Sequence, residues 1–191
     1  MAALELSLGP MFSGKSLDLI QKVSAQYYAD PVHLGMYQPL ANTRDSGISS
    51  RIGPIVYAKK ISSLTEILED TYTSVGVDEL HFFQPSDSSA VCSLLRRGVT
   101  VRLAGLDKDY QGRLFPIIAK LLELPDVHVT HLAAACSCCK EEKGTYVPAY
   151  YTQILRQGQP VLSGLNSAKV QDPQLLYEAR CADCFVSEYL P

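Results

Sequence analysis

Gly9-Pro10-Met11-Phe12-Ser13-Gly14-Lys15-Ser16 follows an apolar run, Leu4 to Leu8, and precedes a helix-like run, Leu17 to Tyr28. The octapeptide fits the phosphate-binding pattern G-x-x-x-x-G-K-[ST] in the strand–loop–helix context that gives the pattern its physical meaning. The glycines let backbone N–H groups turn inward onto phosphate oxygens. Lys15 would reach the β- and γ-phosphates, the Ser16 hydroxyl would ligate Mg²⁺, and the following helix presents its positive end to the same anion. At average composition a chance match in a chain of this length is about a 1% event. The stretch therefore predicts a nucleoside-triphosphate site, most simply for Mg-ATP, built from Gly9, Pro10, Met11, Phe12, Ser13, Gly14, Lys15 and Ser16.

Outward from this loop, strand-like and helix-like segments alternate. Val32–Tyr37, Ser74–Asp78, Val99–Ala104 and Val127–Ala135 read as strands; Ser63–Asp70, Ser86–Arg97 and Pro116–Leu122 read as helices, and polar Asn42–Gly53 as a loop. Such alternation predicts an α/β fold, a parallel sheet flanked by helices, with ligands at the carboxyl ends of its strands. The loops after Leu8, Val77 and Ala104 are then expected to lie together. After about Ala135 cysteine pairs, tyrosines and Gly/Pro breaks replace the rhythm. The expected domains are 1–134, for ATP, and 135–191, a small zinc-binding subdomain.

The chain has 191 residues, 47% of them apolar, and a formal charge of −3. That balance opposes general nucleic-acid binding, which rests on many Lys/Arg–phosphate contacts. No signal-like N-terminal segment and no apolar run near the ~20 residues needed to span a bilayer is evident, so the expectation is a cytoplasmic protein without membrane attachment. Its six cysteines then need an explanation other than a disulfide framework.

Two features supply chemistry beyond the loop. The third strand ends in Asp78-Glu79. An acid at this strand end in a P-loop protein holds Mg²⁺, usually through water, which suits Asp78. Glu79 would then stand near the γ-phosphate and accept the proton of an attacking hydroxyl or water. Packing against Phe82 and Phe83 would favour its protonated form. Cys136-x-x-Cys139 and Cys181-x-x-Cys184 give two thiolates from each of two tight turns, the pattern of a closed tetrahedral Zn²⁺ site with no position open for catalysis. Cys136-x-Cys138 is an alternative chelate for the first pair. Cys92, on the apolar face of a predicted helix, reads as core packing.

Taken in order, these residues resemble the thymidine kinase family of the zinc-containing type. Gly9–Ser16 matches its loop; Asn42-Thr43-Arg44 with Ser49-Ser50-Arg51-Ile52-Gly53 resembles its D-x-R…SR-x-G loop. Val77–Phe83 resembles I-D-E-x-Q-F-F, and Ala104–Tyr110 resembles G-L-D-x-D-F. Val161-Leu162-Ser163-Gly164 and Tyr177–Cys181 resemble the V-I-G-G…Y-x-x-x-C substrate loop. The resemblance implies a RecA-like core with a lasso loop, and transfer of the ATP γ-phosphate to the 5′-hydroxyl of thymidine or deoxyuridine in nucleotide salvage for DNA synthesis. It implies Glu79 as general base and Arg44 as a cation near the transferring phosphate. Met11, Phe82, Leu106 and Tyr110 would line a thymine pocket. Backbone groups of Val161, Leu162, Ser163 and Gly164 would meet the base, and Tyr177 would lie over the nucleoside. Homotetramers or dimers are usual in the family. The chain departs from the family pattern at Asn42 (Asp), His81 (Gln), Tyr110 (Phe) and Ile154 (Arg), and in a longer Leu165–Leu176 link. The alternatives are another P-loop nucleoside kinase, a RecA-like ATPase, and a zinc-ribbon nucleic-acid adaptor.

Overall fold

The computed structural model describes residues 2–42, 47–48, 55–165 and 174–189. The chain divides into two compact units. One comprises Met1–Leu8, Gly14–Gly105 and Pro116–Thr130; the other comprises Gly9–Ser13, Leu106–Phe115 and His131–Pro191.

The first unit is built on strands β1 (Leu4–Leu8), β2 (Leu34–Pro39), β3 (Gly47–Ile48), β4 (Val56–Tyr57), β5 (Lys59–Ile61), β6 (Ser74–Val77), β7 (Thr100–Gly105) and β8 (Val127–His131). Its helices are α1 (Lys15–Ala29), α2 (Ser88–Arg96) and α3 (Pro116–Leu122). Among the described residues six strands form the central sheet in the order β5-β2-β6-β7-β1-β8, and β3 pairs with β4 in a short ribbon. The ladders β1–β7, β7–β6, β6–β2 and β2–β5 are parallel. Strands covered on both faces by crossover helices must be apolar on both faces; β2 and β6 are accordingly buried at every position.

Helix α1 buries Lys15, Leu19 and Val23, spaced four apart along one stripe, with Ile20 beside them. Its stripe therefore begins with the lysine of the phosphate-binding pattern. Asp87 is a buried polar hub. Its carboxylate accepts from the Ser63 hydroxyl at 2.6 Å, the Leu64 N–H at 3.0 Å and the Gln84 N–H at 2.9 Å, and so joins two turns of the chain.

Several elements differ from the sequence expectation. Ser63–Asp70 forms a 3₁₀ turn, Leu64–Glu69, closed by a Ser63–Glu66 capping box, rather than an α-helix. The helix expected from Ser86 begins at Ser88, after a 3₁₀ turn over Pro85–Asp87. The polar loop contains the two residues of β3, and Lys59–Ile61, unassigned from sequence, is the edge strand of the sheet. The continuous run Val127–Ala135 is two strands. β8 joins the sheet, whereas β9 (Ala134–Ala135) pairs antiparallel with β10 (Pro148–Ala149).

The second unit continues with α4 (Ser137–Lys143), β11 (Tyr151–Arg156), β12 (Gln159–Pro160) and β13 (Leu175–Arg180). The last three strands form an antiparallel sheet in the order β12-β11-β13. The alternation of strands divides its faces. Thr152 and Ile154 of β11 share one face with Ala179, Tyr177 and Leu175 of β13; Gln153 and Glu178 lie on the other.

Candidate active site and metal centre

In the first unit the ends of β1, β7 and β6 are neighbours, with Leu8 opposite Gly105 and Val77 opposite Leu103. The strands that lead into the three loops are therefore adjacent in the sheet. Gly14 caps α1 in the left-handed region, φ 84°, a conformation that glycine adopts without a Cβ penalty. Lys15 follows at the first helical position with only 9% of its surface exposed.

The chain leaves β6 sharply. Asp78 is buried at 4% exposure, its N–H donating to the Tyr37 carbonyl at 3.0 Å. Glu79 adopts φ 53°, ψ 42°, left-handed for a residue with a side chain, and its N–H donates to Asp78 Oδ1 at 2.9 Å. Such a backbone costs about 1–3 kcal/mol and persists where surrounding contacts enforce it, characteristically at functional sites. The turn sends two consecutive acids into different surroundings, one buried and one with its side chain 35% exposed.

His81 Nδ1 lies 3.6 Å from Glu79 Oε2. The pair is not an ion pair. Burial, aided by the positive charge of Lys15, brings the His81 imidazole down to about 3, so it is neutral near pH 7. Its ring packs against Phe82 with centroids 4.5 Å apart. The sequence-derived candidates Lys15, Asp78, Glu79 and Phe82 thus share the first unit with Gly14 and Ser16.

The second unit holds the first half of the phosphate loop. A Cβ on Gly9 would stand 2.3 Å from the Leu132 carbonyl oxygen, closer than any side chain tolerates. Pro10 O accepts from the Ser13 hydroxyl at 2.9 Å, and Met11 N–H donates to the buried Thr152 hydroxyl at 3.0 Å. Phe12 between them is left-handed at φ 67° and half exposed. Leu106 and Tyr110 are buried in this unit. Tyr110, Ile154 and Leu175 form an apolar cluster against which Val161, Leu165 and Tyr177 pack. The structure brings together Tyr110, Val161 and Tyr177 from the candidate nucleoside set. Val161 N–H donates to the Ile154 carbonyl at 2.9 Å, which starts the segment containing Leu162, Ser163 and Gly164. Arg44 lies outside the described residues, as do 43, 49–54 and 166–173. Thr152 and Gln111 were not recognised from sequence, since their partners are remote along the chain.

The cysteine pairs converge in the same unit. Cys136 follows β9 at the entry to α4, and Cys181 follows β13; each occupies a strand-to-turn corner. The sulphurs of Cys136, Cys139, Cys181 and Cys184 all lie within 4.8 Å of one another. Cys139 Sγ is 3.8 Å from Cys181 Sγ and 3.6 Å from Cys184 Sγ. Zinc–sulphur bonds of ~2.3 Å at tetrahedral angles put sulphurs about 3.8 Å apart, so the four thiols fit Zn²⁺. All six cysteines are free thiols, and Cys138 is not among the four. Cys92 is half-buried on α2. Burial opposes ionisation of Cys136, but the N–H groups and thiols of Cys139 and Cys181 together outweigh it and bring this thiol down to about 7. The cluster therefore holds one thiol ready to lose its proton to a metal.

No helix among the described residues is long and apolar enough to cross a membrane. A family model described as thymidine kinase matches residues 2–164, which covers the phosphate loop, the Asp78-Glu79 turn, the first cysteine pair and the Val161–Gly164 segment. With a parallel sheet whose first strand leads into the P-loop and four cysteines placed to hold a metal beside a tyrosine-bearing sheet, the chain belongs to the thymidine kinase family, in its zinc-containing form.

Proposed function

We propose that this kinase transfers the γ-phosphate of Mg-ATP to the 5′-hydroxyl of thymidine or deoxyuridine, with Glu79 as general base. The observation that carries the reading is the divergence of two consecutive carboxylates at one strand end. Buried Asp78 is suited to hold a metal's hydration shell, and Glu79, partly exposed in a strained turn, is suited to meet an incoming hydroxyl. Neighbouring carboxylates placed in different environments take different roles.

In this mechanism backbone N–H groups of Gly9–Ser16 bind the phosphates, and the Lys15 ammonium offsets their charge. The Ser16 hydroxyl and the Asp78 carboxylate are hard oxygen donors, a fitting pair for Mg²⁺ and its waters. When bound, Mg²⁺ offsets charge on the β- and γ-phosphate oxygens. A Glu79 carboxylate oxygen accepts the proton of the 5′-hydroxyl as its oxygen bonds to phosphorus and the bond to the ADP oxygen breaks. Arg44 stabilises the equatorial oxygens. Met11, Phe82, Leu106 and Tyr110 hold the thymine, backbone groups of Val161–Gly164 meet its polar edge, and Tyr177 covers the nucleoside. The Cys136, Cys139, Cys181 and Cys184 thiolates hold Zn²⁺, which ties β9 and α4 to the end of β13 and supplies structure rather than chemistry. The reading includes a cytoplasmic homo-oligomer, a dimer or tetramer.

The test is Glu79→Gln. Loss of a general base costs about 10²–10⁴ in turnover. We expect that loss with ATP affinity unchanged; near-normal kcat would remove Glu79 from this role.

A further inference from the structure

Tyr110 and Gln111 are consecutive, both buried, and both reach the same short segment of chain. The Tyr110 hydroxyl accepts the Leu165 N–H at 3.2 Å and donates to the Leu165 carbonyl at 3.3 Å. Gln111 Nε2 donates to the Leu162 carbonyl at 2.7 Å. One phenol thus engages both polar backbone groups of a single residue, and the next residue grips the chain three positions earlier.

The base of this grip is itself fixed. Asp109 Oδ1 accepts the N–H groups of Gln111 and Arg113, each at 2.9 Å, while Oδ2 accepts from the Arg113 guanidinium at 3.2 and 3.1 Å. The Gln111 carbonyl accepts the Ser187 hydroxyl at 2.7 Å. The Tyr110 ring is held by Ile154 and Leu175. By contrast, Val161–Leu165 belongs to no strand or helix. A segment that leaves the β11–β12 ladder after the Val161 N–H bond to Ile154 takes its conformation from whatever satisfies its remaining polar groups.

We propose that the Tyr110 hydroxyl and the Gln111 amide form a two-point clasp that sets the conformation of Val161–Leu165 and, through it, thymidine affinity. They are positioning residues, acting through the backbone of that segment. This rests on the reading of Val161–Gly164 as the part of the chain that meets the base. The ring of Tyr110 belongs to that reading already; the function of its hydroxyl, and of Gln111, is the new assignment.

Tyr110→Phe keeps the ring and removes both bonds to Leu165. Amide hydrogen exchange at Leu165 and steady-state kinetics are measured on the full chain with zinc bound. The expected result is exchange about tenfold faster at Leu165 and a thymidine KM raised about tenfold. The kcat at saturating thymidine and the KM for ATP are expected to stay within about twofold. Gln111→Leu, which fills the same volume without the donor, is expected to raise the thymidine KM alone by about fivefold. Unchanged exchange at Leu165 in Tyr110→Phe overturns the clasp and leaves the nucleoside-loop reading standing. Faster exchange with an unchanged thymidine KM overturns the reading of Val161–Gly164 as the nucleoside contact, and with it the clasp's role in affinity.

Discussion

Replacing Thr152 by valine removes one hydroxyl and little else. That hydroxyl is the acceptor for Met11 N–H at 3.0 Å, a bond between residues 141 positions apart. Valine has nearly the shape of threonine and suits a strand, so the β11–β13 ladder has no reason to weaken. The loss falls on the phosphate loop. A part-buried N–H left without its partner costs about 1–3 kcal/mol, next to a Phe12 backbone whose left-handed conformation already stores strain. If the whole penalty is borne by the phosphate-binding form of the loop, ATP affinity falls by about 5- to 150-fold. Titration calorimetry with ATP and with ADP measures it. Thr152→Ser, which retains the oxygen, is the control, expected within about threefold of the wild type. If Thr152→Val binds both nucleotides as tightly as Thr152→Ser, the tie to β11 does not shape the phosphate loop. If the valine variant instead loses stability with affinity intact, the bond belongs to the sheet rather than to the site.

A strong chelator, or Cys181→Ser, should strip the four-cysteine cluster of its metal and raise the thymidine KM, because Cys181 directly follows β13, the strand that carries Tyr177. Cys138→Ser should retain one zinc per chain by elemental analysis, since Cys138 lies outside the group of four; a zinc-free Cys138→Ser protein would reverse the ligand assignment. The neutral His81 gives a stability that depends on pH. Its folded value of about 3 lies below the unfolded value of ~6.5, so the unfolded chain takes up the proton first as pH falls. Stability from this group is complete above ~6.5 and declines by about 1.4 kcal/mol per pH unit down to about 3. Urea midpoints between pH 7 and pH 5 should fall less steeply for His81→Gln than for the wild type; equal slopes would mean that His81 is not held neutral.

Features carried by local chemistry were legible in the sequence. The strand–loop–helix around Gly9–Ser16 needs only its own residues, and so do the acid-ended strand Ser74–Asp78 and the two C-x-x-C turns. The parallel sheet followed from the alternation. What stayed hidden depends on partners far along the chain. Lys59–Ile61 is three residues long, too short for a period, and becomes a strand because β2 offers it an edge. Val127–Ala135 is an unbroken run without glycine or proline, and nothing in it shows that β8 and β9 join different sheets. Asp87 ends no motif, yet it joins two turns by accepting three hydrogen bonds. In the candidate site, Thr152 and Gln111 act by single bonds to remote backbone, which no spacing encodes. For the Tyr110 hydroxyl, chemistry demanded a partner, because a buried phenol needs one; only the fold shows that it is Leu165.

In the proposed reaction the phosphate goes to a nucleoside hydroxyl. Incubation with ATP labelled at the γ-phosphate, with and without thymidine, tests it most directly, the product being identified by chromatography against the 5′- and 3′-monophosphates. Label is expected in thymidine 5′-monophosphate, formed only when thymidine is present. Label appearing as inorganic phosphate at the same rate with or without thymidine would contradict it.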